Sequence, residues 1–265
     1  MNKQIPKIIH YCWFGKNPLN EEALHCLASW KKYFPEYRII QWDESNFDFD
    51  SCDYAKEAYQ AKKWAFVSDY ARFKILYQYG GIYVDTDVEV IKSFDDLLER
   101  GPFFGKEQSA NSFKMVNPGL GMAAYDHMTF CEKVVEYYEK IHFDPNEHIT
   151  VCDHITKMFL EHGYKGNNEI ETIDGFTLYP VDYFCPKDYL TGVLKLTENS
   201  HSIHLYSATW QNEKERKFMS FEQRCYNKFG LNSHNFFPIK YAMYLYCYGV
   251  TGCMKKVAHK LEKIK

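Results

Sequence analysis

The chain has 265 residues, 46% hydrophobic and 25% charged, which excludes an intrinsically disordered protein and allows a sizeable core. Its formal net charge of -3 excludes a nucleic-acid binder with a wholly basic surface, so no nucleic-acid partner is expected. Nine cysteines without a CxxC pair, an N-terminus without a signal-peptide pattern and no long apolar run together predict a reduced, cytoplasmic protein.

Strand-like and helix-like patterns alternate along the first part of the chain, which predicts an α/β layered domain. They are a buried strand over Lys7–Trp13, a helix over Glu21–Tyr33 after Asn20 as a cap, a strand over Tyr37–Trp42, a helix over Trp64–Tyr79 ended by Gly80 and Gly81, and a strand over Ile82–Val90.

The pattern is less regular beyond about residue 101. The predicted elements there are short strands over Pro102–Gly105, Gly119–Ala124 and Ser202–Leu205, a strand-and-turn region over Ile170–Phe184, and helices over His127–His142, Glu147–His162, Glu213–Phe229 and Pro238–Lys265. We predict one domain over residues 1–235 and a basic, aromatic helical tail over residues 236–265.

Two carboxylates, Asp85 and Asp87, interrupt the apolar strand predicted over Ile82–Val90. Burying these carboxylates is unfavourable unless a cation compensates their charge. Residues two apart on a regular strand point the same way, so both carboxylates can face one ligand. Paired hard oxygen ligands suit Mg²⁺ or Mn²⁺, which in turn suit diphosphate oxygens. The alternative interpretation is a strand end whose acids are solvated.

The helix before this strand carries Asp69 and Arg72, which are three residues apart and share one face. Because Gly80 and Gly81 end the helix and the acidic strand follows directly, these side chains and the two strand acids can converge on one cleft. A simple surface ion pair between Asp69 and Arg72 is the alternative.

Three blocks together resemble glycosyltransferase family 32, the family of DXD transferases that includes yeast-type α-mannosyltransferases and bacterial capsular and lipopolysaccharide enzymes. The blocks are Ile5–Gly15, Ser68–Arg72 and Tyr79–Asp87, in the family's order within the first ninety residues or so. A weaker fourth block, Ser202–Trp210, is similar to the family's C-terminal His-and-Trp segment. The combination is far more specific than any single block.

The resemblance implies a GT-A-type fold, with a Rossmann-like nucleotide-binding sheet, the DXD at its carboxyl edge and additional C-terminal helices. It also implies transfer of a sugar from a UDP- or GDP-sugar donor, dependent on Mn²⁺ or Mg²⁺, with retention of anomeric configuration. The implied acceptor is a polysaccharide or a lipid-linked sugar, as in capsule or lipopolysaccharide synthesis.

The same resemblance implies roles for the four acidic and basic side chains of the first cleft. Asp87 binds the metal directly, and Asp85 holds ribose and sugar hydroxyls or the metal through water. Asp69 and Arg72 bind the donor sugar and its phosphate. These roles agree with the chemistry, because a divalent ion and an arginine stabilise the charge that develops on a departing diphosphate.

Two tryptophans and one histidine complete the implied site. Trp13 stacks on the nucleobase, while His204 and Trp210 close over the diphosphate, with His204 as a further metal ligand. The chain departs from the family after His204, where Leu205 and Tyr206 replace the usual His-Trp pair, which weakens the metal role of His204. Taken alone, Trp13 is also compatible with a core ring, and His10 with a satisfied buried histidine.

Two further segments allow alternative interpretations. Val116–Met122 is either a glycine-bearing loop near the acceptor or an ordinary turn. Asp153 and His154 either lie near the acceptor hydroxyl or belong to a helix cap, and capping is favoured.

The C-terminal tail combines aromatic residues with a basic end. Aromatic side chains recur from Phe236 to Tyr248, and five lysines follow: Lys255, Lys256, Lys260, Lys263 and Lys265. Such a helix suits peripheral contact with the inner face of a membrane. The alternative is that the aromatic part packs on the core while the lysines are solvated.

Two other functions stay open on the sequence alone. One is a nucleotide-sugar-binding protein without transfer activity, since binding residues do not prove turnover. The other is a metal-dependent phosphohydrolase, which also uses paired acids, although it would need more carboxylate and histidine ligands than this sequence clusters.

Overall fold

The computed structural model describes residues 4–108, 113–145, 149–207, 213–231 and 236–262, with side chains described up to residue 254. The chain forms two compact units, the first made of Met1–Lys187 and Lys195–Tyr206, the second of Asp188–Leu194 and Ser207–Lys265. Helix and strand bounds follow, in chain order.

The strands are β1 (Ile8–Cys12), β2 (Arg38–Trp42), β3 (Gly81–Tyr83), β4 (Val88–Val90), β5 (Phe103–Gln108), β6 (Lys114–Ala124), β7 (Glu171–Ile173), β8 (Phe176–Tyr179) and β9 (Ser202–His204). The helices are α1 (Glu21–Tyr33), α2 (Asp53–Gln60), α3 (Trp64–Tyr79), α4 (Asp95–Leu98), α5 (Thr129–Tyr138), α6 (Val151–Glu161), α7 (Val181–Phe184), α8 (Glu213–Phe229) and α9 (Phe237–Glu262).

A seven-stranded mixed sheet in the order β2-β1-β3-β6-β5-β8-β7 forms the centre of the first unit. Strands β2, β1 and β3 are parallel, β6 runs antiparallel to β3 and β5, and β8 is parallel to β5. The parallel strands come from the alternating first part of the chain. This arrangement, with further helices after it, confirms the predicted α/β class.

Apolar side chains cover both faces of this sheet, as expected for a sheet with parallel strands. On one face α1 packs through Trp30, which is fully buried and donates from its indole nitrogen to the Val88 carbonyl at 2.8 Å. On the other face α2, α3, α5 and α6 pack in a second cluster that includes Phe104 and Tyr138. The sheet edge is therefore held rigidly where β1 and β3 end.

Helices α1 and α3 have the bounds that the sequence predicts. The Asn20 side chain accepts the Ala23 N–H at 2.8 Å as the predicted cap, and the left-handed Gly80 ends α3 with a φ of 61°. His10 is fully buried, accepting from Trp42 Nε1 at 3.0 Å and lying 3.0 Å from the Gly80 carbonyl through Nε2. Burial lowers the pKa of His10 to about 4, so this histidine is the satisfied, neutral core residue predicted.

The prediction of one strand over Ile82–Val90 is wrong. Only β3 belongs to the central sheet, whereas β4 pairs antiparallel with β9 in a separate two-stranded sheet. Asp85, Thr86 and Asp87 lie between these strands, where the Val88 N–H donates to the Asp85 carbonyl at 3.1 Å in a turn. The two carboxylates are therefore not placed by the two-residue repeat of a strand.

The second unit is formed mainly by α8 and α9. The rings of Phe218 on α8 and Tyr246 on α9 lie 6.4 Å apart, and Gly249, with a φ of 67°, divides α9 into two helical parts. Because α8 packs with α9, the compact units divide earlier than the predicted domains 1–235 and 236–265, which as functional domains stay a prediction. Among the described residues, no helix combines the length and the apolar character needed to cross a bilayer.

Candidate functional site

Arg72 is the centre of a buried charge cluster at the carboxyl ends of β1 and β3. Its Nη2 lies 3.0 Å from Asp69 Oδ1 and 3.4 Å from Asp85 Oδ1, and its Nη1 donates to Asp85 Oδ2 at 3.4 Å. Its Nε donates to the Ser68 carbonyl at 3.0 Å, and its guanidinium lies over the Tyr83 ring at 4.9 Å. We call Asp69, Arg72 and Asp85 the arginine cluster.

Burial sets the protonation of this cluster. Arg72 is 3% exposed and Asp69 is 7% exposed, so the interpretation as a surface ion pair is wrong. Burial raises the pKa of Asp69 to about 7. The positive charge of Arg72 lowers this pKa, and the negative charge of Asp85 raises it further. Although burial opposes its charge, the carboxylates raise the pKa of Arg72 well above its ordinary value. The cation is therefore permanent, while Asp69 is easily neutralised.

Asp85 connects the arginine cluster to the second half of the sheet. Its Oδ1 accepts from the Tyr83 hydroxyl at 2.9 Å, and its backbone N–H donates to the Gly119 carbonyl at 2.9 Å. A Cβ on Gly119 would lie 1.9 Å from Asp85 Oδ2, so only glycine allows this approach. The side chain of Asp85 is still 31% exposed, which leaves a face for a ligand.

A bulge in β6 brings Gly119 to this position. Gly105 pairs with Asn117 while the preceding Phe104 pairs with Met122, so residues 118–121 are looped out of the ladder. Asn117 Oδ1 accepts the Gly119 N–H at 2.7 Å, and Asn117 Nδ2 donates to Glu107 Oε2 at 2.9 Å. The segment Val116–Met122 is thus no ordinary turn.

Asp87 pairs with a histidine from the other end of the chain. Its Oδ2 lies 3.3 Å from His204 Nε2, and its carbonyl accepts the Leu205 N–H at 2.8 Å. Although burial opposes protonation, the Asp87 carboxylate and the Cys185 thiol raise the pKa of His204 well above its ordinary value. The Nδ1 of His204 is buried without a hydrogen-bond partner in the described part of the chain. We call Asp87 and His204 the histidine pair.

The remaining predicted residues lie apart from these contacts. Trp13 follows β1, is partly buried against the α1 face of the sheet and donates from Nε1 to the Asn17 carbonyl at 2.7 Å. Trp210 lies outside the described residues. Asp153 forms the predicted cap, since it makes a capping box with Thr150 at the start of α6.

From the sequence, Glu107 and Cys185 were missed entirely, and Asn117 was included only as part of the segment Val116–Met122. Asn117 orients Gly119, Glu107 holds Asn117, and Cys185 contributes to the charge state of His204. The Asn-Pro-Gly run at 117–119, just before the predicted strand over Gly119–Ala124, was the available signal, because such a run marks a break in regular structure.

The fold and this geometry together define a class. In open α/β sheets, ligands bind beyond the carboxyl ends of the strands, where the arginine cluster and the histidine pair lie. A permanent buried cation beside carboxylates with exposed faces suits a ligand that carries both phosphate and a divalent ion. These features are typical of nucleotide-binding transferases.

Comparison with known proteins supports the family resemblance. Residues 20–104 match the family described as glycosyltransferase sugar-binding region containing DXD motif, a range that holds Asp69, Arg72, Asp85 and Asp87. This match confirms the resemblance to the DXD glycosyltransferases seen in the sequence.

Relatives agree with this assignment. Inositol phosphoceramide mannosyltransferase 3 of Schizosaccharomyces pombe is 37% identical over 98 residues, or 36% of this chain, and the chain spans only 27% of that protein. An uncharacterized glycosyltransferase of Acanthamoeba polyphaga mimivirus is 27% identical over 201 residues, covering 69% of this chain and 76% of its own.

A solved structure is also similar. A glycosyltransferase involved in the glycosylation of the major capsid of PBCV-1 aligns with a TM-score of 0.45 and 14% identity, over 82% of this chain and 100% of that chain.

Proposed function

We propose that this chain transfers a sugar from a nucleoside-diphosphate donor to a carbohydrate or lipid-linked acceptor, with the help of a divalent cation. The observation that carries this proposal is the buried Arg72, held by two carboxylates at the carboxyl edge of the sheet. A guanidinium fixed in this way is pre-organised to meet phosphate oxygens on a departing nucleotide.

The charge balance of the site supports a need for a cation. Three carboxylates, Asp69, Asp85 and Asp87, lie together with the guanidinium of Arg72 and the imidazole of His204. A diphosphate would add further negative charge to this partly buried region. A divalent ion that binds with the diphosphate offsets this repulsion, which is why metal and nucleotide binding should depend on each other.

The histidine pair fits such an ion. A carboxylate and an imidazole are ligands that Mn²⁺ accepts, and Asp87 Oδ2 already lies 3.3 Å from His204 Nε2. The raised pKa of His204 indicates that a proton now balances Asp87, and a metal ion would replace that proton. Asp87 and His204 would hold Mn²⁺ or Mg²⁺, with Asp85 as a ligand through water. When bound, the ion stabilises negative charge on the leaving diphosphate.

The arginine cluster binds the nucleotide-sugar donor in this proposal. Arg72 binds a phosphate oxygen, and the exposed face of Asp85 accepts hydrogen bonds from hydroxyl groups of the ribose or the sugar. Asp69 is held against Arg72 and, with its pKa near neutrality, can hydrogen-bond a sugar hydroxyl in either protonation state. A carboxylate near the anomeric carbon also favours the oxocarbenium-like charge of the transferred sugar.

Trp13 supplies the nucleobase contact in this proposal. Its indole follows the carboxyl end of β1, the expected side of the sheet for a nucleotide, and keeps part of its surface accessible. The donor is a UDP- or GDP-sugar. Transfer retains the anomeric configuration, as the family resemblance implies.

The acceptor is a polysaccharide or a lipid-linked sugar. The fission-yeast relative is named for inositol phosphoceramide, and a lipid-borne acceptor for this chain is the corresponding proposal. Capsule or lipopolysaccharide synthesis is the biological setting that follows from this acceptor class.

Helix α9 offers a surface for peripheral contact with the inner face of the membrane. Its side chains Leu245, Tyr246, Val250 and Met254 are exposed, although they are large and apolar. The five lysines lie outside the described side chains. Co-sedimentation with anionic vesicles tests this contact, with full-length protein compared with a version that ends at Gly252. Salt-sensitive binding by the full-length chain alone is expected, and equal partitioning would contradict it.

A nucleotide-release assay tests the central function. The purified chain is incubated with UDP- and GDP-sugars and Mn²⁺, with and without a panel of glycosides and glycolipids. A transferase releases nucleoside diphosphate mainly when an acceptor is present. A binding protein shows thermal stabilisation, about 2.7 kcal/mol at a hundred times the dissociation constant, without release. A phosphohydrolase releases phosphate from the free nucleotide, and either of these outcomes would overturn the proposal.

A further inference from the structure

Three metal-ligating side chains meet beside the histidine pair. Glu107 comes from the end of β5, Cys185 follows α7, and His204 ends β9. One ligand atom of each lies within 4.8 Å of the other two. None of these three segments is close to another in sequence, so the fold alone brings them together.

Of the three groups, Cys185 is buried, and Glu107 and His204 are partly buried. Cys185 is 2% exposed, and its Sγ lies 2.9 Å from the Tyr206 hydroxyl. Glu107 uses one carboxylate oxygen to accept from Asn117, and burial raises its pKa against the opposing pull of His204. His204 has a buried Nδ1 without a hydrogen-bond partner among the described residues. A buried polar atom of this kind usually has a ligand, a water or an ion as its partner.

The chemistry of this set differs from that of the histidine pair. A thiolate is a soft ligand, which Zn²⁺ accepts readily and which Mg²⁺ or Mn²⁺ seldom use. Ligand atoms around a tetrahedral zinc ion lie about 3.3 to 3.8 Å apart, so atoms that now lie within 4.8 Å of one another would approach by about 1.5 Å at most. Three protein ligands leave the fourth position for water or for a neighbouring oxygen.

We infer that Glu107, Cys185 and His204 form a second cation site, selective for a soft divalent ion such as Zn²⁺. His204 belongs both to this set and to the histidine pair. An ion on Nδ1 keeps the ring proton on Nε2, where it faces Asp87 and blocks Nε2 from binding a second ion. Zinc would then inhibit turnover by competing for His204. The site itself stands on these three side chains, and only the inhibition rests on the proposed function.

Cobalt spectroscopy tests the site without any assay of turnover. Reduced, metal-free protein is titrated with Co²⁺, whose bond to a thiolate gives a charge-transfer absorption band in the near ultraviolet. We expect this band in the wild type, its loss in Cys185→Ser, and its bleaching by Zn²⁺. The control Cys225→Ser, on α8, should keep the band. A wild type without the band, or a band that persists in Cys185→Ser, would overturn the inference.

A second variant tests the site even if Cys185→Ser does not fold. Glu107→Gln keeps the size of the side chain and removes the charge, so it should weaken Co²⁺ binding at least tenfold, and unchanged affinity would contradict the site. For the inhibition, the wild type should lose turnover on addition of Zn²⁺ while Cys185→Ser resists it. If the wild type has no turnover at all, the proposed function fails, and the cobalt band still decides on the site.

Discussion

The arginine cluster and the histidine pair are built in different ways. Asp69, Arg72 and Asp85 come from one short stretch of chain, helix α3 and the segment after β3. The guanidinium already contacts both carboxylates, the Ser68 carbonyl and the Tyr83 ring. Asp87 and His204 come from distant segments joined by the small sheet of β4 and β9, and one ring nitrogen of His204 has no partner among the described residues.

This difference has a physical consequence. The arginine cluster is nearly complete without a ligand, so its charges stabilise the fold as well as meeting the substrate. The histidine pair is balanced by a proton that an ion can replace. We therefore expect changes in the arginine cluster to affect stability and activity together, and changes in the histidine pair to affect ligand binding more than stability.

The largest expected effect is that of Arg72→Ala. It leaves Asp69 buried without its cation, and breaking a buried pair in this way typically costs about 3–5 kcal/mol of unfolding free energy. Turnover should fall by about a hundredfold or more, because the positive charge facing the leaving phosphate is lost. Chemical denaturation and nucleotide release measure the two effects.

The matched control is Lys74→Ala on the same helix, whose ion pair with Glu139 is part-exposed and should contribute less than about 1 kcal/mol. Equal losses in both variants would show that the arginine cluster is no more than an ordinary ion pair.

The second effect concerns the link between the two halves of the site. In Gly119→Ala the new Cβ would lie 1.9 Å from Asp85 Oδ2, so the carboxylate must move away from Arg72. We expect a stability loss of about 1–3 kcal/mol from overpacking and a fall in turnover of about a hundredfold from misplacement. Gly163→Ala is the control, since Gly163 has a φ of +98° but no atom within 4 Å of an added Cβ. If both variants turn over alike, the contact between Gly119 and Asp85 has no role in the site.

The smallest effect is a pH dependence of stability that comes from the histidine pair. A histidine whose folded pKa is raised stabilises the protein fully below its unfolded pKa, and the contribution is lost as pH rises through the folded value. The unfolding free energy of the metal-free wild type should therefore decline above about pH 7, by at most about 1.4 kcal/mol per pH unit from this group.

The variant His204→Gln should lack this decline. The raised pKa of Asp69 also makes the unfolding free energy fall as pH rises, but only up to its folded pKa of about 7. The decline above that pH therefore reports His204. Parallel pH profiles for wild type and variant would show that His204 is not protonated by its pairing with Asp87.

The arginine cluster could be predicted from the sequence because its geometry is local. The spacing of Asp69 and Arg72 fixes a shared helix face, and Gly80 and Gly81 fix where the helix ends. The same local reasoning failed for Asp87. The two-residue repeat implied one strand, whereas the turn at Asp85 sends the chain into a second sheet.

Glu107, Asn117 and Cys185 could not be predicted for the same kind of reason. Their meeting depends on the bulge at residues 118–121 in β6 and on the return of the chain through α7 to β9. Strand register of this kind is set by packing across the sheet, and no spacing within the sequence encodes it. The pairing of Asp87 with His204 became visible only through the family resemblance.

Binding of a nucleoside diphosphate in the presence and absence of Mn²⁺ tests the central claim most directly. Isothermal titration of UDP and GDP into wild type, Asp87→Asn and Glu89→Gln compares the DXD acid with a nearby acid that pairs with His25. The account predicts Mn²⁺-dependent binding in wild type and Glu89→Gln, and at least about a tenfold loss, 1.4 kcal/mol, in Asp87→Asn. Equal Mn²⁺-dependent affinity in Asp87→Asn and wild type would contradict it.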